Sequence, residues 1–179
     1  MNAFEIHKIR YGWFEVCFTP HDEKQGWLCN SDYLRCDAPK YFLDALANIL
    51  EEKTAEEWLC WQDEPGAYIL RLALEDGKVA AEIFLAPDSM ELPYRGQELA
   101  SVEKKFEYKN TFEIRALLDD VLVEFSLYEN GNGLAIYNKH WDVFPEKEFQ
   151  RLKSFAACYN KGLDKYHKLF CLTYLKRLK

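Results

Sequence analysis

No two cysteines of this chain stand two to four residues apart, and no His-x3-His pair occurs. Structural zinc sites are built on such spacings, so no stoichiometric metal is expected. Cys29 and Cys36, with His21 upstream, come nearest to a ligand set, but six residues separate them. A Gly-x-Ser-x-Gly elbow is missing, and NGNG at 130–133 follows a helical pattern rather than a strand. Neither a serine nucleophile nor a phosphate-cradling loop is therefore signalled. Apolar runs last only a few residues, too short for a helix that spans a bilayer. The opening MNAFEIHKIRYGWFEV has no apolar stretch behind its charges, which predicts no secretory signal and a cytoplasmic location. Repeats and low-complexity tracts are missing too. The expectation is no catalytic residue, no cofactor and no metal ligand.

Positive charge is also in deficit. Lys and Arg number 23 against 30 Asp and Glu, a net charge of -7. Such a body repels phosphate, so nucleic acid is not an expected partner, and neither is a membrane. The imbalance is uneven. Residues 161–179 hold Lys161, Lys165, Lys168, Lys176, Arg177 and Lys179 against Asp164, which reads as the solvated face of a terminal helix. Residues 51–64 hold Glu51, Glu52, Glu56, Glu57, Asp63 and Glu64 against Lys53. Acid at the end of a helix is disfavoured by the macrodipole, so folding alone gives no reason for Glu51 and Glu52. These six acids are the candidate partner-binding residues, and a basic protein is the partner they suit.

What the chain does have is rings: 12 Phe, 11 Tyr and 5 Trp within 49% hydrophobic residues. Large rings bury much area each, so few elements close a core. A chain of 179 residues suits one domain, 1–179. The six cysteines, several in apolar patterns, read as reduced core thiols.

Alternation predicts strands at 4–9 and 12–19, then at 57–62, 67–75 and 78–86, with an edge strand at 101–108. EDG at 75–77 and DEPG at 63–66 mark tight turns, with Gly66 a candidate for positive φ. Asp37 caps a predicted helix over 38–52. Asn110 and Glu113 form a candidate capping box for a helix that ends at NGNG, and further helices follow at 146–159 and from 163. Strands followed by helices predict an α+β fold: one antiparallel sheet of about five to six strands with helices on one face.

Three clusters invite chemistry. CWQDEPGAY at 60–68 puts Asp63 beside Glu64, but adjacent strand residues point apart, and the bend of a hairpin is the favoured reading. Asp164, His167 and Cys171 share a helical face, where Cys171 packing inward is favoured over metal ligation. His140 precedes Trp141 and Asp142. Trp141 packing into the core is favoured there, with a catalytic His140 as the alternative.

The stretches SDYLRCDAPKYFLDALANIL, EWLCWQDEPGAYILRL, IRALLDDVLVEF and NKHWDVFP resemble a family of uncharacterised bacterial proteins. Its marks are a Trp-x-x-Glu-Pro-Gly-x-Tyr hairpin and a later Trp-x-x-Phe-Pro. Here Trp61, Glu64, Pro65, Gly66, Tyr68, Trp141, Phe144 and Pro145 hold those places. The resemblance covers about residues 31–153 and implies no activity. By analogy of class, small acidic bacterial proteins often serve as immunity partners of secreted toxins. The expected function is a non-catalytic protein-binding module, in one form such an immunity protein, present as a monomer or weak homodimer. An enzyme with a site around His140, Asp142 and Glu64 is one alternative. A structural subunit of a homo-oligomer, paired through the edge strand, is another.

Overall fold

The computed structural model describes residues 2–19, 22–31, 37–63, 65–87 and 92–159. His21, Cys36, Glu64 and the predicted basic helix with Asp164, His167 and Cys171 lie outside them.

The first alternating pair forms as expected. Strands β1 (Phe4–Arg10) and β2 (Trp13–Phe18) run antiparallel, with Phe4 opposite Phe18 and Arg10 opposite Trp13. A two-residue turn joins them, Tyr11 at φ 54° and Gly12 at φ 77°. A third strand, β3 (Gly26–Ser31), returns along β2 with Gly26 opposite Phe18. Helix α1 (Ala38–Leu50) follows, with Lys40 N–H donating to Asp37 Oδ1 at 3.4 Å and a proline in the first turn. Its apolar spacing buries Phe42, Leu46 and Ile49.

Strands β4 (Glu56–Asp63), β5 (Gly66–Glu75), β6 (Lys78–Ala86) and β7 (Lys105–Glu113) form a separate antiparallel meander. Asp76 and Gly77 supply the two positive φ values of the β5–β6 turn, as the Asp-Gly pair predicts. The expectation of one sheet of about five to six strands is thus corrected to two, of three and four strands. The outer edge of β4 explains the division. Cys60 N–H donates to Tyr94 O at 2.9 Å and Gly96 N–H to Trp58 O at 3.1 Å, so that edge is taken and β3 does not join it.

The edge strand is longer than its alternation suggests. It runs through Glu113 straight into helix α2 (Ile114–Ser126), and the Asn110–Glu113 capping box does not form. Asn110 instead pairs with Ala81 in the ladder, and Glu113 takes Lys78 at 2.6 Å. NGNG does not merely stop a helix. Asn130 stands at the N-cap position of the next one, α3 (Gly131–His140), without a side-chain capping bond, and α4 (Glu146–Tyr159) closes the described chain. No helix among the described residues is long and apolar enough to cross a membrane.

Both sheets and all four helices share one buried cluster. Its centre is aromatic: Phe4, Phe14, Phe18, Phe42, Trp61, Phe125 and Tyr137 are all essentially inaccessible. Trp61 faces this cluster, and Trp58, three residues earlier, faces a second one with Cys60, Ile69 and Leu99. A short 3-10 helix, Gln97–Ser101, covers that outer face. Lys104 fastens it. Its Nζ donates to the carbonyls of Leu99, Ala100 and Val102 at 2.6–3.1 Å and lies 5.2 Å from the Trp58 ring. The four described cysteines are thiols, and burial raises those of Cys29 and Cys60 to about 12.

Gly66 does not need a left-handed backbone, contrary to the turn reading. Its reason is close approach: a Cβ there would lie 2.7 Å from the Ala86 carbonyl oxygen, a ladder atom that cannot yield. Gly66→Val is expected to lose about 1–3 kcal/mol through overpacking. Asp63→Asn, on the other side of the same bend, should stay within about 0.5 kcal/mol of the parent. Equal losses in urea titrations of the two variants would exclude this account.

Candidate functional site

The acidic segment is tied into the fold by cations of its own chain. Asp44, Asn48 and Glu51 are spaced along one face of α1. Arg151 of α4 meets that face: Nε and Nη2 each donate to Glu51 at 2.8 Å, Nη1 to Asp44 at 2.6 Å and Nη2 to Asn48 Oδ1 at 2.6 Å. Lys53 adds a contact to Glu51 at 2.6 Å. Glu57, at the start of β4, accepts from Arg95 Nε at 2.9 Å and Nη2 at 2.8 Å, and from Asn48 and Thr54 at 3.0 Å each. Asp44 links the two arginines, taking Arg95 Nη1 at 2.6 Å. Burial pushes the Glu51 and Glu57 carboxyls up, but the hydrogen bonds and charge of these cations outweigh it and hold both below the ordinary value. Folding itself therefore accounts for Glu51 at the end of α1.

Glu56 is likewise engaged. It accepts from Arg71 Nε at 2.8 Å and from Trp58 Nε1 at 3.1 Å on the outer face of the second sheet. Glu75 and Glu82 share the same arginine. Of the six acids, Glu52 and Asp63 are the two described without an ion-pair partner among the described residues. Glu52 is exposed at φ 55°. Asp63 is half-buried, and burial followed by the charge of Glu15 raises its carboxyl.

An opening between the two sheets lies at Tyr68, whose hydroxyl feels the charge of Asp63. Trp27 of β3, Tyr68 of β5, Leu85 of β6 and Glu107 of β7 line a groove of about 250 Å³. Trp27 and Leu85 are each 39% exposed, unusual for large apolar side chains at strand positions. The indole is held in place: Nε1 donates to Gln25 Oε1 at 3.0 Å, and the His7 ring meets it edge to face at 4.9 Å. The Tyr68 hydroxyl is raised by burial and then by the nearby carboxylates of Asp63 and Glu107. Strands β3 and β7 are the edges of their sheets. Sequence reading found Asp63 but missed Trp27 and Leu85, because β3 was not legible and Leu85 looks like a core residue of an alternating strand.

Of the alternative site around His140, Asp142 and Glu64, the structure describes the first two. Asp142 Oδ1 accepts from Val143 N–H at 2.7 Å, while the His140 ring meets Tyr11 edge to face at 5.6 Å. No hydrogen bond joins His140 to Asp142 among the described residues, and Glu64 lies outside them. Trp141 packs as expected, against Phe14 at 5.6 Å, with its Nε1 3.5 Å from Asp37 Oδ1. Compared with protein-family models, with curated proteins and with solved structures, the chain matches none.

Proposed function

We propose that the protein is a non-catalytic protein-binding module that docks an apolar, basic segment of a protein partner in the groove between its sheets. The carrying observation is the pair Trp27 and Leu85, exposed on a groove that also holds Tyr68, whose hydroxyl feels Asp63, a carboxylate without an ion-pair partner among the described residues. Partly exposed aromatic anchors are the usual energetic centres of interfaces, and carboxylates around them steer basic partners. An immunity protein that neutralises a secreted bacterial toxin is one form of this reading, supported by the chain's acidity and by analogy with small acidic bacterial proteins of that class. The homo-oligomer alternative rests on the open β7 edge, where Phe106 is 55% exposed.

Quantitative capture from native cells, with parent and Trp27→Ala/Leu85→Lys baits, identifies a partner that depends on the groove. Binding kinetics on that partner then test the site. The double variant should lose at least about thirtyfold in affinity, the scale of a lost aromatic anchor. Asp63→Asn should slow association at low salt and leave dissociation nearly unchanged. Charge reversal at Glu51 or Glu57 is no test, since it breaks the internal ion pairs. A partner that binds parent and double variant equally excludes the groove. Self-association of the purified protein, lost in Phe106→Lys by sedimentation velocity, would favour the oligomer instead.

A further inference from the structure

The tip of the β1–β2 hairpin is built against folding preference. Tyr11 holds φ 54° while its ring is 71% exposed. Two-residue turns of this kind favour Asn, Asp or Gly at that place, as the chain's own Asp76-Gly77 turn shows. A β-carbon with a bulky ring pays a conformational cost there and recovers no burial. Such strain, where nothing in the packing requires it, points to a use for the side chain.

The surroundings say which use. Tyr11 stands at the rim of an open depression of about 680 Å³ that also takes in Arg10, Lys139 and His140, with Ile9 and Ile136 as its apolar part. Among the described residues no carboxylate lines it, in a chain whose net charge is -7. Arg10 and Lys139 form no ion pair among the described residues. The guanidinium is nonetheless positioned: Cζ lies 4.6 Å from the centre of the Tyr11 ring, and Nη2 donates to Tyr11 Oη at 3.1 Å. That leaves further donors of its fork open. The His140 ring stands at 88° to Tyr11, and Gly12 N–H donates to His140 O at 2.9 Å, which fastens the end of α3 to the hairpin. Lys139 and His140 offset the dipole of α3 from its last turn, a structural role. Arg10 and Tyr11 come from another element, and that role does not explain them.

We propose that this depression binds a small phosphomonoester with an apolar or aromatic body. A planar guanidinium fork beside an ammonium suits a doubly charged, multi-oxygen anion better than a single carboxylate. Ile9, Ile136 and the Tyr11 ring receive the organic part. The volume falls in the range of about 300–1,000 Å³ common to small-molecule sites. None of these residues lines the groove proposed for a protein partner, so the two readings fail independently.

The test is a titration of the full chain with phenyl phosphate, followed by amide resonances, with inorganic phosphate and vesicles containing phosphatidic acid as comparison arms. Phenyl phosphate should shift Arg10, Gly12, Lys139 and His140 saturably and bind more tightly than inorganic phosphate. Arg10→Gln/Lys139→Gln should weaken it at least about tenfold while lowering the melting temperature by no more than a few degrees, the scale of the lost dipole contact of Lys139. Tyr11→Asn should raise the melting temperature by a few degrees and still weaken phenyl phosphate, a combination that a merely structural tyrosine cannot give. Absence of saturable shifts, binding by the double variant at parental affinity, a lower melting temperature for Tyr11→Asn, or binding to vesicles alone would each overturn the proposal.

Discussion

Arg151→Met is expected to lower stability by about 3–5 kcal/mol, the scale for removing one member of a buried charge pair. The substitution keeps the volume and apolar stem but strips the donors from Glu51, Asp44 and Asn48. Glu51 then stands with its side chain only 4% exposed and with Lys53 as its remaining cation. The cost is that of an uncompensated carboxylate rather than the net worth of the pair. A second variant separates the two. Arg151→Met/Glu51→Leu should recover most of the loss, because an apolar replacement of both partners is close to neutral. Urea titrations of parent, single and double variants measure this, and a double variant as unstable as the single would contradict it.

The same cluster fixes a pH dependence. The Glu51 and Glu57 carboxyls lie below their ordinary value in the folded chain. A lowered carboxyl contributes stability that is fully present above the unfolded value, about 4.3 for Glu, and is lost as pH falls through the folded value. Asp37, Asp63 and Glu124 act oppositely, since burial raises them and protonation relieves the folded state as pH falls toward their raised values. The gap between parent and Arg151→Met should therefore be widest near neutral pH and narrow below about pH 4, where Glu51 is protonated in the variant.

Local patterns were legible and distant pairings were not. The β4–β6 meander is written in short apolar runs punctuated by the bend at 63–66 and by Asp76-Gly77, and α1 in the Asp37 cap and apolar spacing. Strand β3 was hidden because GWLCNS is short and opens on a glycine that must pass beneath Tyr108 and Ile83. Helix α3 was hidden by Gly131 and Gly133, poor helix formers near its start. Gly133 is present because α3 begins hard against the Leu127 carbonyl, a contact between neighbouring elements that no propensity scale records. The acids of the candidate site were found, but their meaning was not. Their partners Arg95 and Arg151 lie 38 and 100 residues away from Glu57 and Glu51 in sequence. Three of these six carboxylates, Glu51, Glu56 and Glu57, therefore serve as internal struts, which their run in the sequence does not disclose.

Phe14→Ala should cost about 3–5 kcal/mol and lower the melting temperature by roughly 10 °C. Phe14 is fully buried on the central strand of the first sheet. Its ring lies 6.1 Å from Trp61 of β4, 6.3 Å from Phe125 of α2, 6.0 Å from Tyr137 of α3 and 5.6 Å from Trp141 beyond it. One side chain thus bridges the two sheets and two of the helices. The sheets share no ladder, so packing of this kind joins them beside the hydrogen bond from Gln62 N–H to Asn30 Oδ1 at 2.7 Å. Its removal takes away the transfer free energy of the ring, leaves a cavity that four rigid rings cannot collapse into, and loosens both sheets together. Phe106→Ala supplies the contrast. That ring is 55% exposed and meets Phe84 at 5.8 Å, so its loss should stay within about 1 kcal/mol. Urea unfolding of both variants, followed by near- and far-ultraviolet circular dichroism, distinguishes one cooperative core from two independent sheets. If the two probes diverge in Phe14→Ala while the parent unfolds in one step, the ring is the joint between the sheets. If Phe14→Ala costs no more than Phe106→Ala, the aromatic cluster does not unite them.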